Sequence, residues 1–481
     1  MCMGYAILQE RQRGRGNGMG QQPKKNEVLS LRMEGYGSDG AGVSRMEDGR
    51  VVFVRGALSG ELCQVQLLKV GKSAAWAKVQ EVLTPSDERQ VSDCPYYPQC
   101  GGCQLRHMSY AEELRFKRDR VQEALRRIGG AEVEVSVIHG AKDMERYRNK
   151  LQFPLAPSQD DGVRIGFYRN RSHDVVDVED CLLQPVEGSR LRQALKDWMI
   201  KYGVAPYEEQ SHRGLIRHLY VRTNREAQSL CVLVVNGRKL PHEADLVAQL
   251  RKAEPNLQGV LLSVNPEKTN VILGRELRTL WGASALEDTL CSLRFRLSPH
   301  SFYQVNRAQT EVLYGRALDF ADLSGTETVL DLYCGIGTIT LAMAKKARRV
   351  IGAEVVPEAV QDARENAARN EVENAEFICA DAGEAAVLLA KRGEKPDVIC
   401  VDPPRKGLTL EVIDAIADMS PARLVYVSCD PGTLGRDVKL LRERGYQIQQ
   451  AEAVDLFPRT VHVETCVLLS HKNPQTSPPS L

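Results

Sequence analysis

A cysteine at the end of an apolar run is the residue of this chain best suited to covalent chemistry. It lies in Ser428-Cys429-Asp430-Pro431, directly after Leu424-Val425-Tyr426-Val427, which has the length and composition of a buried strand. Taken alone, a cysteine in such a place is more often a small buried hydrophobe than a nucleophile. Three companion features in the same third of the chain favour a nucleophile.

The first companion is a short glycine loop, Asp331-Leu332-Tyr333-Cys334-Gly335-Ile336-Gly337, after which the next strand ends in Glu354. Small loop residues let the backbone approach a ligand, and an acid at the second strand's end can accept hydrogen bonds from ribose hydroxyls. A nicotinamide dinucleotide would use the same acid. However, Thr340 stands where a pyrophosphate-binding loop has its third glycine. S-adenosylmethionine, which has no phosphate, is therefore the favoured cofactor.

The second companion is Asp402-Pro403-Pro404-Arg405, which follows the fourth strand of the same region. Methyltransferases that act on amino groups typically place an aromatic residue after the two prolines, where it stacks on the base. Arg405 cannot supply that surface. The motif therefore favours a ring carbon as the methyl acceptor.

The third companion is Glu464, which stands on the apolar segment 461–465. A pyrimidine ring carbon such as C5 of uracil is too weak a nucleophile to take a methyl group from a sulfonium unaided. Addition of a thiolate to C6 turns C5 into an enolate carbon, and a base must later remove the C5 proton. Cys429 can be the nucleophile if nearby positive charge or dipoles lower its pKa from about 8.5. Glu464 is the candidate base, with a surface acid on an edge strand as the alternative interpretation.

The composition is that of a globular protein with room for roughly three domains of about 150 residues each. Apolar stretches stay well below the ~18 residues that span a bilayer, and the first twenty residues lack the apolar core of a secretory signal. We therefore expect a cytoplasmic protein without membrane contact. The net charge of +1 argues neither for nor against nucleic-acid binding.

Local charge is more informative than net charge. Basic clusters occur at 11–15, 115–120, 146–150 and 213–225. Each is either a solvated charged face or part of a nucleic-acid surface.

Four of the thirteen cysteines have a spacing that suggests a metal site. Cys94, Cys100 and Cys103 form a C-x5-C-x2-C run rich in proline and glycine, and Cys181 follows later. Four thiolates suit tetrahedral zinc or an iron-sulfur cluster, and the spacing does not choose between them. Radical adenosylmethionine enzymes usually show C-x3-C-x2-C, so radical chemistry is disfavoured.

Glycine and apolar periodicity predict the domains. The fold class is α/β, with a Rossmann-like doubly wound domain preceded by a small OB-like β-barrel of about five strands and a mixed α+β central domain. A helix is predicted from Ser109 to Gly129. The predicted boundaries are a flexible basic tail at 1–25, the barrel at 26–85, the central domain at 93–297, the doubly wound domain at 298–472 and a tail at 473–481.

In the doubly wound domain, strands are predicted at about 328–333, 349–354, 375–381, 397–402 and 423–429. A final antiparallel pair is predicted near 448–456 and 461–469.

These motifs together resemble the RNA uracil-5-methyltransferases of the RumA/TrmA type. The resemblance rests on Ser301-Phe302-Tyr303-Gln304-Val305-Asn306 and His462-Val463-Glu464, in addition to the segments around Asp331, Asp402 and Cys429. It implies Cys429 as nucleophile and Glu464 as base. It also implies contacts to S-adenosylmethionine from six residues: Gln304, Tyr333, Thr338, Glu354, Asp381 and Asp402.

The N-terminal half resembles the RumA branch of that family. The barrel resembles a TRAM domain, and the segment around Gly101-Gly102-Cys103 resembles the cluster-binding segment of that branch, which implies a [4Fe-4S] centre on Cys94, Cys100, Cys103 and Cys181. We expect a monomer that binds structured RNA, with 23S ribosomal RNA as the favoured substrate. The alternatives are a tRNA loop, cytosine C5 methylation, and a non-enzymatic RNA-binding or chaperone module.

Overall fold

The computed structural model describes residues 23–160 and 162–471. The chain divides into two compact units, Met1–Arg89 and Gln90–Leu481. The predicted tail at 473–481 and nearly all of the predicted tail at 1–25 lie outside the described residues. No helix within the described ranges combines the length and apolar character needed to cross a membrane.

The first unit is a six-stranded sheet in the order β1-β5-β6-β4-β3-β2. Its neighbouring strands are antiparallel except β6 and β4, which are parallel. Its strands are β1 Val28–Arg32, β2 Gly35–Tyr36, β3 Gly42–Arg45, β4 Val51–Arg55, β5 Leu62–Val70 and β6 Ala74–Thr84. The Glu34 backbone N–H donates to Val43 O at 2.7 Å, which links the chain after β1 to β3. The sheet thus curls into the predicted barrel, with the very short β2 as a sixth strand.

The second unit contains nine helices and seventeen strands within its described residues. The helices are α1 Tyr110–Arg127, α2 Val186–Tyr202, α3 Glu243–Ala253, α4 Arg307–Ala321, α5 Thr338–Ala344, α6 Pro357–Arg369, α7 Ala382–Lys391, α8 Leu410–Met419 and α9 Pro431–Glu443. Before the doubly wound region, the strands are β7 Val135–His139, β8 Lys150–Pro157, β9 Val163–Tyr168, β10 Val175–Asp177, β11 Ile216–Thr223, β12 Ser229–Val235, β13 Leu257–Val264, β14 Glu276–Gly282, β15 Leu286–Leu290 and β16 Leu293–Leu297.

The central sheet has seven strands in the order β10-β9-β8-β11-β12-β13-β14. Its strands pair antiparallel except β12 and β13, which are parallel. One face is covered by α2 and α3, whose Leu195, Trp198 and Leu246 are fully buried in a core with residues of β8, β11 and β12. The other face carries a smaller apolar cluster around Tyr220 and Leu261.

The doubly wound sheet has eight strands in the order β19-β18-β17-β20-β21-β23-β22-β7. Its remaining strands are β17 Thr328–Leu332, β18 Arg349–Glu354, β19 Ala375–Cys379, β20 Val398–Val401, β21 Arg423–Ser428, β22 Tyr446–Val454 and β23 Glu464–His471. The five predicted parallel strands and the final antiparallel pair are confirmed within two or three residues at their ends. Apolar cores cover both faces, as a parallel sheet requires.

The predicted helix is α1, and the Ser109 hydroxyl caps it by accepting from the Glu112 N–H at 3.1 Å. It packs on α9, and a Cβ on Gly435 would lie only 2.7 Å from Ala124 O, so glycine permits the close helix contact. The strand β7 pairs with β22 at the edge of the doubly wound sheet. The sequence placed both elements in the central domain, because apolar periodicity identifies a buried face but not its partner.

Candidate active site

Strand direction collects the predicted site residues at one edge of the doubly wound sheet. Carboxyl ends of parallel strands meet at the same edge, where α/β proteins bind ligands. β23 is antiparallel to β21, so the start of β23 lies at that edge as well. The predicted residues that follow or end these strands, or begin β23, are Tyr333, Thr338, Glu354, Asp381, Asp402, Cys429 and Glu464.

Glu354 holds the glycine loop through its carboxylate. Its oxygens accept from the backbone N–H of Gly335 at 3.1 Å and of Val356 at 2.9 Å. Gly335 and Gly337 have φ of 55° and 84°, and Tyr333 has φ of 71°, which is uncommon for a residue with a side chain. The loop therefore needs its glycines to turn at the strand end, and Glu354 fixes that turn while remaining half-exposed.

Below the loop lies Asp331, whose carboxylate is buried in β17. One of its oxygens accepts from the Thr340 hydroxyl at 2.5 Å, and the other has no hydrogen-bond partner among the described residues. Burial raises the pKa of Asp331 to about 7. Burial likewise raises the pKa of Asp402, at the neighbouring strand end, to about 7. Both acids thus bind a proton far more readily than acids in water, and a cationic ligand would favour their ionised forms.

The other predicted cofactor contacts lie around this edge in different ways. Gln304 is half-buried in the loop before α4, and its backbone carbonyl accepts from the Asn149 amide at 2.8 Å. The Thr338 hydroxyl lies 3.0 Å from the Tyr314 hydroxyl. Asp381 is exposed and caps α7 by accepting from the Gly383 N–H at 2.9 Å. This capping bond gives Asp381 a structural role in addition to the predicted contact.

Cys429 and Glu464 continue a strand register. The last pair of β21 and β23 is Ser428 with Thr465, and each candidate residue stands one position beyond it. Directly opposed positions on antiparallel strands place their Cβ atoms about 4.5–5.5 Å apart. The structure therefore brings together the two residues that the sequence separated by thirty-five positions.

Cys429 is held as a neutral thiol in this arrangement. Burial raises its pKa to about 11, the carboxylates of Glu464 and Asp402 add to the rise, and the Arg405 guanidinium opposes it. Covalent catalysis calls for a lowered pKa. The direction is reversed first because the thiol is half-buried and then because Asp402, after β20, and Glu464, at the start of β23, lie beside it, whereas Arg405 is exposed.

Glu464 is the more deeply buried partner. It is 2% exposed, and its Oε2 atom has no hydrogen-bond partner in the described part of the chain. Burial raises its pKa to about 8, Asp402 adds to the rise, and Arg405 opposes it. It is therefore a buried acid rather than a surface acid, and its pKa is close to neutral pH, as a general base needs.

Arg405 and His462 were missed as site residues. Arg405 lies within electrostatic range of Cys429, Glu464 and His462. Burial lowers the pKa of His462 to about 4, and the positive charge of Arg405 and of other nearby cations adds to that shift. In the motif Asp402-Pro403-Pro404-Arg405, Arg405 was interpreted only as a residue that cannot stack on the base as an aromatic side chain does. Its signal was available in the motif, because a cation next to a strand-end carboxylate can compensate charge there.

The segment between β22 and β23 is anchored on a buried ion cluster. The Lys117 ammonium donates to Glu113 at 2.7 Å and to Asp455 at 2.6 Å, and all three side chains are completely buried. Further bonds reach Pro458 O from the Tyr147 hydroxyl at 3.0 Å and Val461 O from Arg120 at 2.7 Å. The segment 455–463 that leads into Glu464 is thus fixed from several sides.

The four predicted metal ligands line one cavity. Cys94, Cys100, Cys103 and Cys181 share it with Arg106, Arg148 and apolar side chains. Burial raises the pKa of Cys103 and of Cys181 to about 11, and neighbouring cysteines add to both rises. The described residues contain no group of three or more cysteine, histidine or acidic side chains already arranged around a metal position.

Two arginines that the sequence analysis did not assign to the cavity flank its thiols. Arg106 is 2% exposed, and its Nε and one terminal nitrogen have no hydrogen-bond partner in the structure as described. Its charge opposes the rise in the pKa of Cys103, and that of Arg148 opposes the rise at Cys181. Arg106 is paired with Asp93 and Glu145 through its other terminal nitrogen, and its remaining donors and the positive charge of both arginines beside four thiols suit an anionic thiolate centre. The donor set therefore fits either metal centre that the spacing allowed.

The cavity wall is joined to the segment 455–463. The backbone N–H groups of Gln104 and Leu105 both donate to Arg459 O, at 3.0 and 3.1 Å. The chain that carries the cysteines thus contacts the segment that ends at Glu464.

Comparison with known proteins matches each of the two parts of the chain to a known family. Residues 109–472 match the sequence model of the tRNA (uracil-5-)-methyltransferases, and residues 23–79 match the TRAM domain. The predicted barrel type and the family resemblance are thereby confirmed.

Relatives cover nearly the whole chain. An uncharacterized RNA methyltransferase of Clostridium tetani is 42% identical over 449 residues, covering 93% of this chain and 97% of that protein. One from Listeria innocua is 42% identical over 450 residues, covering 93% of this chain and 99% of that protein.

A solved relative has the same fold. The Pyrococcus abyssi tRNA (uracil-54, C5)-methyltransferase, in complex with S-adenosyl-L-homocysteine, superposes with a TM-score of 0.73 at 25% identity, covering 92% of this chain and 100% of that chain. This confirms the predicted α/β fold class. The family model covers most of the chain, and the relatives match it almost end to end, so the chain belongs to the tRNA (uracil-5-)-methyltransferase family of adenosylmethionine-dependent RNA methyltransferases.

Proposed function

We propose that this protein methylates C5 of a uridine in structured RNA, with Cys429 as nucleophile and Glu464 as base. The observation that carries the proposal is the position of both residues one step beyond the pair Ser428 and Thr465, with Asp402 and Arg405 beside them. A buried carboxyl with an unpaired oxygen next to a thiol supports proton transfer at the same carbon that the thiol activates.

The proposed reaction uses each of these groups once. The Cys429 thiol gives its proton to solvent water, and its Sγ atom bonds to uracil C6, which places an electron pair at C5. S-adenosylmethionine supplies the methyl group, which bonds to this electron pair while its bond to the sulfonium breaks and leaves S-adenosylhomocysteine. Glu464 in its ionised form then takes the proton from C5, and the electrons of that C–H bond expel Sγ from C6. Arg405 compensates the negative charge that gathers near the two carboxylates.

Residues at the strand ends support the binding of S-adenosylmethionine. Glu354 lies where ribose hydroxyls can donate to it, and the glycine loop lets the backbone approach the ligand. Burial raises the pKa of Asp402 to about 7, and the approach of a sulfonium cation would favour its ionised form and so stabilise the bound cofactor. Gln304, Tyr333, Thr338 and Asp381 complete the proposed set.

Four cysteines support a second proposed group, a [4Fe-4S] cluster held by Cys94, Cys100, Cys103 and Cys181. Their common cavity and the two flanking arginines fit such a centre. We assign it a structural or RNA-positioning role. Iron, sulfide and zinc analysis of anaerobically purified protein distinguishes it from a zinc site, since zinc without sulfide would contradict it.

The favoured substrate is 23S ribosomal RNA. The TRAM domain together with the cysteine cavity supports this choice, because both were the features that resembled the ribosomal branch. A tRNA loop is the second candidate, supported by the Pyrococcus abyssi enzyme, which acts on tRNA uracil-54. The flipped uridine would lie near Cys429 while the surrounding strand contacts the central domain.

The test is tritium release from RNA labelled at uracil C5, with ribosomal and transfer RNA pools assayed separately. Release from the ribosomal pool alone is expected. Release from tRNA alone would identify tRNA as the substrate instead of ribosomal RNA. Release only from cytosine-labelled RNA would identify cytosine instead of uracil as the methylated nucleobase. Lack of release from every pool, with folded protein and intact cofactor binding, would favour the non-enzymatic RNA-binding module.

A further inference from the structure

Two basic segments that are far apart in the sequence meet on the central sheet. The segment 146–150 leads into β8, the segment 213–225 contains β11, and the two strands pair antiparallel with Lys150 directly opposite Arg222. Facing residues of like charge on an antiparallel pair destabilise the sheet. The pairing therefore carries an electrostatic cost that a bound anion would remove.

Strand alternation places both cations on the same face. Leu151 and Val221, the neighbours of Lys150 and Arg222, are buried in the core under α2 and α3. Successive side chains of a strand point to opposite faces. Lys150 and Arg222 therefore lie on the face opposite that core, and Arg148, two positions before Lys150, approaches the same face.

These three cations, here called the cationic patch, have no ion-pair partner in the described part of the chain, and Arg148 also lines the cysteine cavity. Within residues 23–160 and 162–471, Arg148, Lys150 and Arg222 form no salt bridge, and one terminal nitrogen of Arg222 has no hydrogen-bond partner although Arg222 is only 1% exposed. Burial lowers the pKa of Lys150 to about 8, and Arg222 and Arg148 add to that shift. The acid within electrostatic range of Arg222 is Asp362, which already accepts from the Ser301 hydroxyl at 2.8 Å.

The cationic patch adjoins the candidate active site. Arg222 donates to Ser301 O at 2.7 Å, at the start of the loop that carries Gln304, and Arg148 forms an isolated β-bridge with Asn306 at the end of that loop. Arg148 also lies within electrostatic range of His462. An anion on the patch would thus lie beside the substrate and not on a remote surface.

We propose that the cationic patch binds backbone phosphate of the RNA strand next to the target uridine. The proposal rests on the proposed function, since it assumes that RNA enters this site. Arg148 and Lys150 are partly exposed and can contact phosphate, and the buried Arg222 adds positive charge beside them. Two accessible cations suit a phosphate backbone better than the single carboxylate of the cofactor, because the backbone presents successive negative charges. The patch reads no base, so it positions the strand without selecting its sequence.

The test measures binding of a short oligouridylate, without cofactor, to the full chain from about 50 to about 200 mM salt. Lys150→Met is expected to weaken binding roughly tenfold, as for loss of one charge-assisted bond. It should also make the slope of log K against log salt shallower by about 0.7, the value for one single-stranded phosphate contact. Lys150→Arg should retain the wild-type slope. Lys252→Met, which removes an exposed lysine from α3, is the matched control and should leave the slope unchanged.

Two results would overturn the proposal. In one, Lys150→Met leaves the oligouridylate slope unchanged and weakens binding of S-adenosylhomocysteine, which would assign the patch to the cofactor carboxylate. In the other, Lys150→Met changes the binding of neither the oligouridylate nor S-adenosylhomocysteine. If Lys150→Met fails to fold, Lys150→Gln takes its place with the same expected change in slope.

Binding of oligouridylate requires no turnover, so the two proposals fail separately. A shallower slope without tritium release from any RNA would leave the phosphate site standing and contradict the proposed function. Tritium release together with an unchanged slope would support the proposed function and contradict the phosphate site.

Discussion

Cys429 and Glu464 occupy the next position beyond the paired residues Ser428 and Thr465, at the edge where the doubly wound sheet presents its strand ends. The pKa of Cys429 is raised to about 11 and that of Glu464 to about 8, in both cases first by burial and then by neighbouring carboxylates. The resting site is therefore a protonated pair beside Arg405. Substrate binding has to supply the positive charge, or the proton acceptor, that releases the thiolate.

Replacement of the thiol should separate binding from chemistry. Cys429→Ala is expected to abolish methyl transfer while binding S-adenosylhomocysteine with wild-type affinity, because the proposed cofactor contacts do not involve Sγ. Tritium release and isothermal titration measure the two quantities. Cys379→Ala is the matched control, since Cys379 is an exposed cysteine at the end of β19. Residual turnover in the Cys429 variant would exclude it as the nucleophile.

Removal of the base should stop the reaction one step later. Glu464→Gln keeps the size of the side chain but cannot take the C5 proton, so methylated RNA should remain bonded to Cys429. The measurement is a denaturing gel in which a protein and RNA species of added mass accumulates with adenosylmethionine. If RNA still binds and no such species forms, Glu464 is not the base. The Cys429→Ala, Glu464→Gln double variant should show no adduct.

Strand positions and the site motifs could be read from the sequence because both depend on local pattern. Apolar runs bounded by turns identified β17 to β23, and Cys429 and Glu464 were selected by residue type and context. Pairing between distant segments was not readable in this way. The addition of β7 to the sheet and the meeting of Lys150 with Arg222 depend on which face packs on which. The pKa of Cys429 was misjudged for the same reason, since the sequence reveals neither how deeply a strand-end thiol is buried nor which acids lie beside it.

Buried acids should make the free protein less stable as pH rises. Burial raises the pKa of Asp331 from 3.8 to about 7, so the folded state keeps a proton that the unfolded state releases. Its contribution is complete below the unfolded pKa and is lost as pH rises through about 7, by at most about 1.4 kcal/mol per pH unit. Urea titrations of the free energy of unfolding across this range measure the loss. Asp331→Asn should flatten the curve.

Asp418→Asn is the control for this titration. Asp418 is an exposed acid on α8, so its replacement should leave the slope of stability against pH unchanged. Equal slopes for wild type and Asp331→Asn would show that Asp331 is not the group that titrates.

Loss of the proposed cluster should affect large RNA more than small RNA. Cys100→Ser is expected to lower the iron content and to reduce methylation of full-length ribosomal RNA, because the cavity wall and the RNA surface near it would lose their support. Methylation of a minimal RNA that needs no docking should persist. Cys379→Ser is the control for the serine change. If folding stays intact but both RNAs lose methylation, the cluster has a role in the chemistry itself.

The buried ion cluster should determine both stability and the position of the base. Lys117→Met leaves Glu113 and Asp455 buried side by side without the ammonium, with the guanidinium of Arg459 still 3.7 Å from Glu113, and removal of one partner of such a group costs about 3–5 kcal/mol. Glu113 also accepts from the Arg459 N–H at 2.7 Å, so the loss should loosen the segment 455–463. Lys439→Met, an exposed change on α9, is the matched control.

Two measurements separate the effects of Lys117→Met. Urea unfolding reports the loss of stability, and tritium release at saturating RNA, below the unfolding temperature, reports whether Glu464 is still positioned. We expect both to fall, and we expect Glu113→Gln in the same chain to recover part of the stability by removing one of the two buried carboxylates. A variant that is destabilised but keeps its full turnover would show that the segment 455–463 is held in place by its other contacts, from Tyr147, Arg120 and Asn306.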